Sequence, residues 1–398
     1  ESRIGMEKPK IRFLKNKHSW VRNTFEEIAK RRTKSSDNPD LPRIEYQDII
    51  SGEGRLNKDL NKNIDCHKGI VFETNDILYG KLRPYLKNWL HPNFNGIALG
   101  DFWVLQARNC DSKFLFSLVQ SPKFQRVAND TSGTKMPRSD WKTVSQTEFS
   151  IPTSNEEQSA IGSLFRTLDD LLISYKENLA NYQSLKATMF SKMFPKAGLT
   201  VPEIRLDGFD GEWEKYYLGY IFEQVSKYIE PSVENELWSL TVEKGLTPKT
   251  ERYKRDFLVK KNDKFKKVDL NEFVYNPMNL TLGALDLNNN DVTISVSGYY
   301  VVMKNIDVEK FDNDFLKILL KTTYAIYQYK QFATGTLIEK QRVQFPTFSE
   351  IPFYLPTIAE QQAIGSYFSN LDNLIKSYQE KISQLETLKK KLLQDMFI

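Results

Sequence analysis

The sequence predicts an α+β protein with two tandem α+β domains and two long helices, which pair as an antiparallel coiled coil in a pseudo-two-fold arrangement. Three observations predict this class. The stretch at 154–194 returns at 357–397, 203 positions later. Both copies carry apolar residues in alternating steps of four and three, the spacing of a coiled-coil helix. The segments in front of the two copies also align with each other, as expected for a tandem duplication.

The repeat sets the predicted domain boundaries. We expect a first globular domain at 1–152, a central helix with its linker at 153–200, a second globular domain at 201–354 and a C-terminal helix at 355–398. Within the globular parts, short β-branched and aromatic runs predict strands and longer amphipathic runs predict helices. The predicted strands are Gly69–Phe72, Phe102–Leu105, Val292–Ser295 and Tyr299–Val302, and the predicted helices are Phe114–Ala128 and Phe311–Phe332.

Each long helix opens with a start signal. Ser154 is followed three residues later by Glu157, and Thr357 by Glu360. This spacing predicts a capping box, in which the hydroxyl and the glutamate each bind a free backbone N–H of the first turn.

The apolar spacing then predicts the seam between the two helices. It is interrupted at the same place in both copies, at Lys186 and Lys389. Two separate amphipathic core helices are the alternative, but helices that pair with each other need matched seams, and a shared phase and interruption favour pairing. The predicted interface residues are Ile161, Phe165, Leu168, Leu172, Tyr175, Leu179, Ile364, Phe368, Leu371, Ile375, Tyr378 and Ile382.

Composition is that of a globular protein with more than one core. Of 398 residues, 40% are hydrophobic and 27% charged, with a mean hydropathy of −0.51. No apolar run approaches the roughly 18 residues of a membrane span, and no secretory signal is recognisable, so we expect a cytoplasmic protein without a membrane partner.

Cysteine usage agrees with a reducing compartment, because two cysteines cannot staple a chain of this length. The paired spacing of a zinc site is absent from the possible ligands, which are Cys66, His67, His91 and Cys110. We therefore expect no metal.

Charge is distributed unevenly. Residues 1–153 hold 26 Lys and Arg against 18 Asp and Glu. The second globular segment holds a local basic block, which consists of Lys249, Arg252, Lys254, Arg255, Lys260, Lys261, Lys264, Lys266 and Lys267. Such patches suit a phosphate backbone, although a solvated charged face remains an equal alternative for any one residue.

Two like domains on two like helices suit a ligand with two-fold backbone symmetry. If the helices run antiparallel, two readers held at a fixed separation would recognise two half-sites of duplex DNA with an unread gap between them.

The motifs resemble those of the DNA-specificity subunits of Type I restriction-modification systems. The resemblance covers nearly the whole chain. It lies in the EQ-x-AIG-x-x-F-x-x-LD stretch of both helices, the DILYGKLRP stretch at 76–84, the loop at 133–137 and the IRLDGFDGEW stretch at 204–213.

This resemblance implies that each globular segment is a target recognition domain reading one half of an asymmetric split site. The helices would measure the gap and dock two methyltransferase subunits that use S-adenosylmethionine to methylate adenine. Motor and nuclease subunits would add cleavage with ATP and Mg. The chain itself would carry no cofactor and no catalytic site.

The residues agree with a non-catalytic role, since no phosphate-binding glycine loop or catalytic constellation is recognisable. The run from Asn276 to Asn279 reads NPMN and departs from the Asn-Pro-Pro-aromatic motif of amino-methyltransferases, so a turn is expected there.

Side chains that read base edges are Arg, Lys, Asn and Gln, so basic and amide residues in loops after predicted strands are the DNA-binding candidates. In the first domain these are Lys81, Arg83, Lys87, Lys135 and Arg138. In the second they are Lys254, Arg255, Asn276, Asn279, Lys340 and Arg342.

Three rival functions remain. One is an enzyme with an unrecognised site, which is disfavoured because the sequence has three histidines and no metal or nucleophile motif. The chain could be a specificity partner in a methylation-only defence system, which differs only in its partners. It could also be a coiled-coil scaffold whose globular ends bind protein, and such a scaffold would lack salt-sensitive affinity for DNA.

Overall fold

The computed structural model of the chain describes residues 8–15, 19–57, 67–130, 135–249, 264–335 and 341–398. The chain divides into two compact units. The first unit is formed by Glu1–Leu179 with Tyr378–Ile398, and the second by Ala180–Ser377. Each unit therefore contains one globular α+β part together with a segment of each long helix.

The first unit contains twelve strands and five helices among the residues described. The strands are β1 (Trp20–Thr24), β2 (Ala29–Arg31), β3 (Ser35–Ser36), β4 (Arg43–Ile44), β5 (Ile49–Ile50), β6 (Arg55–Leu56), β7 (Gly69–Phe72), β8 (Ile77–Gly80), β9 (Trp89–Leu90), β10 (Gly96–Ala98), β11 (Phe102–Ala107) and β12 (Glu148–Pro152). The helices are α1 (Phe25–Ile28), α2 (Ser112–Gln120), α3 (Pro122–Ala128), α4 (Trp141–Gln146) and the long α5 (Asn155–Lys192), whose last part lies in the second unit.

The second unit has the corresponding elements. The strands are β13 (Glu214–Tyr217), β14 (Phe222–Val225), β15 (Tyr228–Ile229), β16 (Trp238–Thr241), β17 (Gly245–Pro248), β18 (Phe265–Val268), β19 (Glu272–Tyr275), β20 (Leu285–Leu287), β21 (Ile294–Ser297), β22 (Val301–Asn305) and β23 (Pro352–Leu355). The helices are α6 (Leu218–Ile221), α7 (Asn313–Leu319), α8 (Thr323–Phe332), α9 (Phe345–Ser349) and the long α10 (Ile358–Met396), whose last part lies in the first unit.

Sheet order repeats between the units. In the first unit the sheets are β2-β11-β8-β9, β3-β7-β10-β4, β1-β12 and β5-β6. In the second they are β14-β22-β19-β20, β15-β18-β21, β13-β23 and β16-β17. Among these strands every pairing is antiparallel except β10 with β4. The matching order confirms the predicted duplication and the α+β class.

Both long helices are present, and their first turns correct the predicted capping box. The hydroxyls of Ser154 and Thr357 accept the backbone N–H groups of Glu157 and Glu360, at 3.3 and 3.4 Å, as expected. The glutamate carboxylates instead turn inward, where they are almost fully buried and pair with arginine. A buried carboxylate without a cationic partner is strongly destabilising, whereas an uncapped backbone N–H at the surface can bind water.

The two helices run antiparallel within each unit. In the first unit the ring of Phe165 lies 5.8 Å from that of Phe397, and Tyr175 lies 5.5 Å from Tyr378. Residue numbers thus fall along one helix as they rise along the other. In the second unit Phe190 lies 6.2 Å from Phe368 in the same sense.

The shared interruption of the apolar spacing has a structural explanation. Lys389 Nζ lies 2.6 Å from Asp169 Oδ1 across the helix pair of the first unit. Lys186 forms the equivalent ion pair with Asp372 in the second unit. Each lysine interrupts the seam because an aspartate faces it from the other helix.

The ends of the long helices complete the cores. Met396 and Phe397 are buried in the core of the first unit, and Met193 and Phe194 hold the corresponding places in the second. The predicted seam residues Ile161, Phe165 and Leu168 join the same core as the globular part of the first unit. Of the remaining predicted seam residues, Leu172, Ile364, Phe368, Leu371 and Ile382 are buried, and Tyr175, Leu179, Ile375 and Tyr378 are half-buried.

An arginine and a glutamate join each long helix to its globular part. Arg12 holds Glu157 through two contacts of 2.6 and 2.7 Å, and Arg205 holds Glu360 at 2.8 and 2.7 Å. Such two-point pairs fix orientation as well as charge. The carboxylate of Glu157 also accepts the indole N–H of Trp20 at 3.3 Å.

The glutamine after each glutamate binds backbone groups of the globular part. The side-chain oxygen of Gln158 accepts the N–H of Asp111 at 2.8 Å, and that of Gln361 accepts the N–H of Asp312 at 2.9 Å. Asp111 and Asp312 are the N-caps of α2 and α7. The repeated EQ dipeptide therefore fastens each long helix to the start of a domain helix.

Four predicted elements differ from the structure. The strand predicted over Val292–Ser295 begins only at Ile294 and ends at Ser297. The stretch predicted to be helical over Phe114–Ala128 is divided into two helices, because Ser121 ends α2 and caps α3 just ahead of a proline. The helix predicted over Phe311–Phe332 is likewise two helices, with Thr322 capping the second. The strand predicted from Tyr299 begins only at Val301, since Tyr299 lies in a turn.

In the part of the chain that the structure describes, none of the helices combines the length and apolar character needed to cross a bilayer.

Candidate nucleic-acid interface

Three loops of the first unit meet at one place. Backbone hydrogen bonds join them, from Lys81 N to Asp101 O at 2.9 Å, from Arg83 N to Pro137 O at 2.7 Å and from Ser139 N to Lys81 O at 2.8 Å. The loops that the sequence singled out separately, after β8 and before α4, are thereby neighbours. We call this group the first-unit loop cluster, residues 81–83, 100–101 and 135–139.

A half-buried tyrosine joins two loops of the cluster. The Tyr46 hydroxyl donates to Asp101 O at 2.5 Å and accepts the N–H of Leu82 at 3.1 Å. Burial raises the pKa of Tyr46 to about 12, although the Leu82 N–H acts in the opposite direction. The hydroxyl therefore stays protonated and holds two loops of the cluster together.

The charged side chains of the cluster converge on one carboxylate. Arg138 Nη2 lies 2.8 Å from Asp101 Oδ2, and Lys81 Nζ lies 3.7 Å from Asp101 Oδ1. Lys135 is exposed in the same loop as Arg138. Lys81 and Arg138 thus share one anchoring aspartate, and Lys135 is a further basic residue of the cluster.

Arg83 and Lys87 flank a short 3-10 helix at Pro84–Leu86, and both have left-handed backbone conformations, with φ of 49° and 54°. Such conformations are uncommon outside glycine and are held here by surrounding structure. Both side chains are exposed, as is the neighbouring Tyr85 ring. The loop therefore projects Arg83 and Tyr85 outward.

Lys87 lies apart from the cluster. It lines a cleft of about 570 Å³ between the globular part and the long-helix segments of the first unit. In the same cleft Lys176 bridges Glu53 and Glu386, at 2.9 Å each. Burial opposes the charge of Glu53, yet Lys176 and Arg55 lower its pKa overall.

In the second unit, the turn after β19 takes the corresponding place. The side-chain oxygen of Asn276 accepts the N–H of Met278 at 3.0 Å, which closes the turn. Val343 N donates to Pro277 O at 3.0 Å and brings Arg342 to this turn. Asn279 is exposed. The turn expected in place of a catalytic NPMN motif is therefore present.

Arg342 meets an aromatic ring where Arg138 meets a carboxylate. Its guanidinium carbon lies 6.0 Å from the centre of the Tyr299 ring, a cation–π geometry. A second such pair is formed by Lys264 Nζ, 5.8 Å from the centre of the exposed Tyr228 ring. Lys264 O accepts the N–H of Gly298 at 2.9 Å, which makes the two pairs neighbours.

The predicted candidates Lys254, Arg255 and Lys340 lie outside the described residues. Of the described members of the basic block, Lys249 is exposed, whereas Lys267 pairs with Asp269 at 2.9 Å. Lys266 is buried and donates to Tyr300 O at 2.7 Å, and burial lowers its pKa. A buried lysine of this kind cannot reach a phosphate.

One buried carboxylate holds the hairpin that leads into the basic block. Asp286 Oδ2 accepts the N–H of Leu246 in β17 at 2.8 Å, and Lys317 and Lys321 lie 3.1 and 3.4 Å from Oδ1. Burial alone would raise the pKa of Asp286, but the two lysines lower it overall. Asp286 is therefore a charged anchor for the β16-β17 hairpin.

Asp101 and Tyr299 were not among the candidates from sequence. Both follow a glycine just before a strand, in a stretch that aligns between the repeats. An acidic or neutral residue in such a place is easily passed over when basic and amide residues are sought. Among the described residues, no group of three or more His, Cys, Asp or Glu could hold a metal ion.

Comparison with known proteins agrees with the fold and the repeat. Residues 212–387 match the sequence model described as "Type I restriction modification DNA specificity domain". The chain is 24% identical over 358 residues to the Type I restriction enzyme MjaVIII specificity subunit of Methanocaldococcus jannaschii, covering 82% of this chain and 79% of the relative.

Two further matches are more partial or more distant. The Type I restriction enzyme EcoDI specificity subunit of Escherichia coli is 24% identical over 190 residues, which cover 46% of this chain and 42% of the relative. A crystal structure of a Type-I restriction-modification system S subunit from M. genitalium aligns with a TM-score of 0.63 at 16% identity, covering 98% of this chain and 99% of that one. The latter likeness concerns the fold.

Proposed function

We propose that this chain is a specificity subunit of the Type I restriction-modification family, which reads a split, asymmetric DNA site and directs adenine methylation and restriction there. Each unit would read one half-site. The observation that carries the proposal is a pair of equivalent loop positions with different side chains. Four residues after the aligned tyrosines of β8 and β19, the first unit holds Arg83 and the second holds Asn279. Equivalent positions with different side chains are what two different half-sites require.

The division of labour follows from the chemistry that the loops offer. Arg83, Arg138 and Arg342 carry planar donors that suit guanine edges and phosphates, and Asn279 suits adenine. None of them forms a nucleophile, a cofactor cradle or a metal set in the described chain. We propose that the chain is not itself an enzyme.

Methyl transfer and cleavage would be supplied by partners. These would be two methyltransferase subunits using S-adenosylmethionine, and motor nuclease subunits using ATP and Mg. The paired long helices are the surface we propose for docking the methyltransferases, and their length would set the gap between half-sites. A cytoplasmic location follows from this role, because the DNA substrate is there.

The test is a base-resolution map of adenine methylation in the native host, with and without this chain. Loss of one split motif, two short half-sites around a fixed gap, is the expected result. An unchanged map would contradict the proposal for a host that makes the partner subunits.

Binding of the assembled complex to duplex DNA at rising salt is the second measurement. A DNA reader should lose affinity steeply, because its Lys and Arg contacts release condensed counterions. Affinity independent of salt, or absent, would favour a scaffold that binds protein. A methylation-only system would instead keep the motif while showing no restriction of unmethylated DNA.

A further inference from the structure

The two units place an arginine at the same backbone position. The residue after Arg138 donates its N–H to Lys81 O at 2.8 Å, and the residue after Arg342 donates its N–H to Pro277 O at 3.0 Å. Lys81 and Pro277 both lie two residues after the aligned tyrosines of β8 and β19. The two guanidinium groups therefore start from equivalent points of the duplicated fold.

The residue that meets each arginine is also equivalent, but its chemistry differs. Asp101 and Tyr299 both follow a glycine. Both lie two residues before the strand residue that pairs with Tyr79 or Tyr275. One position of the duplicated fold thus holds a carboxylate in the first unit and an aromatic ring in the second.

The carboxylate fixes one edge of its arginine. Arg138 Nη2 contacts Asp101 Oδ2 at 2.8 Å, while the side chain of Arg138 remains 55% exposed. Asp101 is itself held, because its backbone carbonyl accepts Lys81 N and the Tyr46 hydroxyl. A guanidinium has five N–H donors in a rigid plane, so an anchored edge leaves a directed fork for an external acceptor.

The ring leaves its arginine less constrained. Tyr299 is 42% exposed, and its ring centre lies 6.0 Å from the guanidinium carbon of Arg342, a contact that pairs no guanidinium N–H with a carboxylate. In the described part of the chain no carboxylate lies within ion-pair distance of Arg342. The charge of Arg342 is therefore not neutralised by those residues, and the ring presents an apolar face beside it.

We propose that Asp101 and Tyr299 are positioning residues that decide how Arg138 and Arg342 engage DNA. Arg138, held by Asp101, presents its fork to the O6 and N7 atoms of one guanine in the first half-site. Arg342, beside the Tyr299 ring, contacts DNA with a freer geometry and reads its base less strictly. This inference rests on the proposed function and names the residues that distinguish the two half-sites.

The experiment uses the full chain with its partner subunits in the native host, and the readout is the methylated motif. Asp101→Asn should relax one guanine position of one half-site, with discrimination falling by about fivefold to about 150-fold, the value of one bidentate contact. Tyr299→Asp, which gives Arg342 the partner that Arg138 has, should sharpen or change one base position in the other half-site only.

The matched control is Tyr217→Asp. Tyr217 is 52% exposed and forms a cation–π pair with Lys215 at 5.4 Å, but it lies on β13, away from the loops. This variant should leave both half-sites as they are. A change there equal to that of Tyr299→Asp would overturn the proposal, because it would mean that surface charge alone alters recognition.

An unchanged motif with Asp101→Asn and Tyr299→Asp would also reject the inference, as would equal weakening of both half-sites. If Asp101→Asn abolishes methylation, the assembled complex is tested for binding to duplexes with single base changes. Relaxation at one position of one half-site supports the inference, and uniform loss opposes it. Absence of any split motif with the unaltered chain would instead defeat the proposed function itself.

Discussion

Lys389 reaches Asp169 across the paired helices at 2.6 Å, where the apolar seam of the C-terminal helix is interrupted. Both side chains are largely removed from solvent, and Lys389 also donates to the side chain of Gln120 at 2.9 Å. Burial raises the pKa of Asp169, while Lys389 acts to lower it. The ion pair takes the place of an apolar layer in the seam. It forms only when the two helices are aligned so that Lys389 faces Asp169.

We expect Lys389→Met to destabilise the first unit by about 3 kcal/mol at pH 7, since it leaves Asp169 buried without its cation. The double variant Asp169→Leu with Lys389→Met should recover most of this loss, because an apolar pair suits the seam. Urea unfolding of the purified chain measures both. Arg166→Met, which breaks the exposed Arg166–Asp170 pair, is the control and should change little. If Lys389→Met lowers the free energy of unfolding as little as Arg166→Met does, the expectation is refuted.

The close approach of α5 to α2 predicts a difference between two equivalent glycines. A Cβ on Gly162 would lie 2.6 Å from Lys113 Cβ and from the backbone N of Phe114, whereas one on Gly365 would meet Asp312 Oδ2 at 3.0 Å. Gly162→Ala should therefore lower the thermal midpoint of its unit clearly. Gly365→Ala should be milder, because its nearest contact is longer. The preference of alanine over glycine in a helix, about 1 kcal/mol, therefore offsets more of the smaller clash. Equal effects would show that the helix shifts freely at both places.

His91 makes the stability of the first unit depend on pH. Burial lowers its pKa to about 4, and the positive charge of Arg166 acts in the same direction. The unfolded chain then binds the extra proton between pH 4 and about 6.5, so stability is full above about pH 6.5 and falls as the pH drops through that window.

This contribution amounts to at most about 3 kcal/mol. The ring is stacked on Phe116 at 5.4 Å, so His91→Phe preserves an aromatic contact while removing the titration. Urea unfolding at pH 5.0, 6.0 and 7.5 should show a steeper pH dependence for the unaltered chain than for the variant. Parallel curves would mean that His91 is already protonated in the fold.

Arg83 is predicted to serve one half-site only. Arg83→Ala removes the guanidinium and adds no strain to the left-handed backbone, because the arginine already carries a Cβ there. The variant should relax or weaken recognition in a single half-site, measured by methylation mapping in the host. Uniform loss on all DNA would assign Arg83 to phosphate contact instead.

The periodicity and the internal repeat of the sequence predicted the large features of the fold. The shared phase of the long helices predicted both their existence and their pairing, since a seam of spacing 3.5 needs a partner. The phase alone did not decide that the pairing is antiparallel. The same pattern showed the interruptions at Lys186 and Lys389. It could not show that Asp372 and Asp169 face them, because a partner on another helix depends on register and not on local spacing.

Local sequence motifs gave wrong or incomplete predictions where contacts with distant parts of the chain determine the position of a side chain. Glu157 has the sequence of a capping residue, yet Arg12 draws its carboxylate inward from a distant part of the chain. Basic loops were found from composition, but their meeting through Lys81 and Ser139 required the folded backbone. Asp101 and Tyr299 were missed for the same reason, as their significance lies in the arginine beside each.

The placement of Met396 and Phe397 in the core of the first unit has a consequence for the order of folding during synthesis. The second unit is one continuous stretch, whereas the first needs Tyr378–Ile398, which the ribosome adds after the whole second unit has been made. At about 5–20 residues per second, the earlier part of the first unit waits roughly 10 to 40 s for its last helix segment. Throughout that interval the surface that will receive Phe397 is open, so a nascent chain of this design exposes an apolar site to chaperones until Phe397 itself has been made.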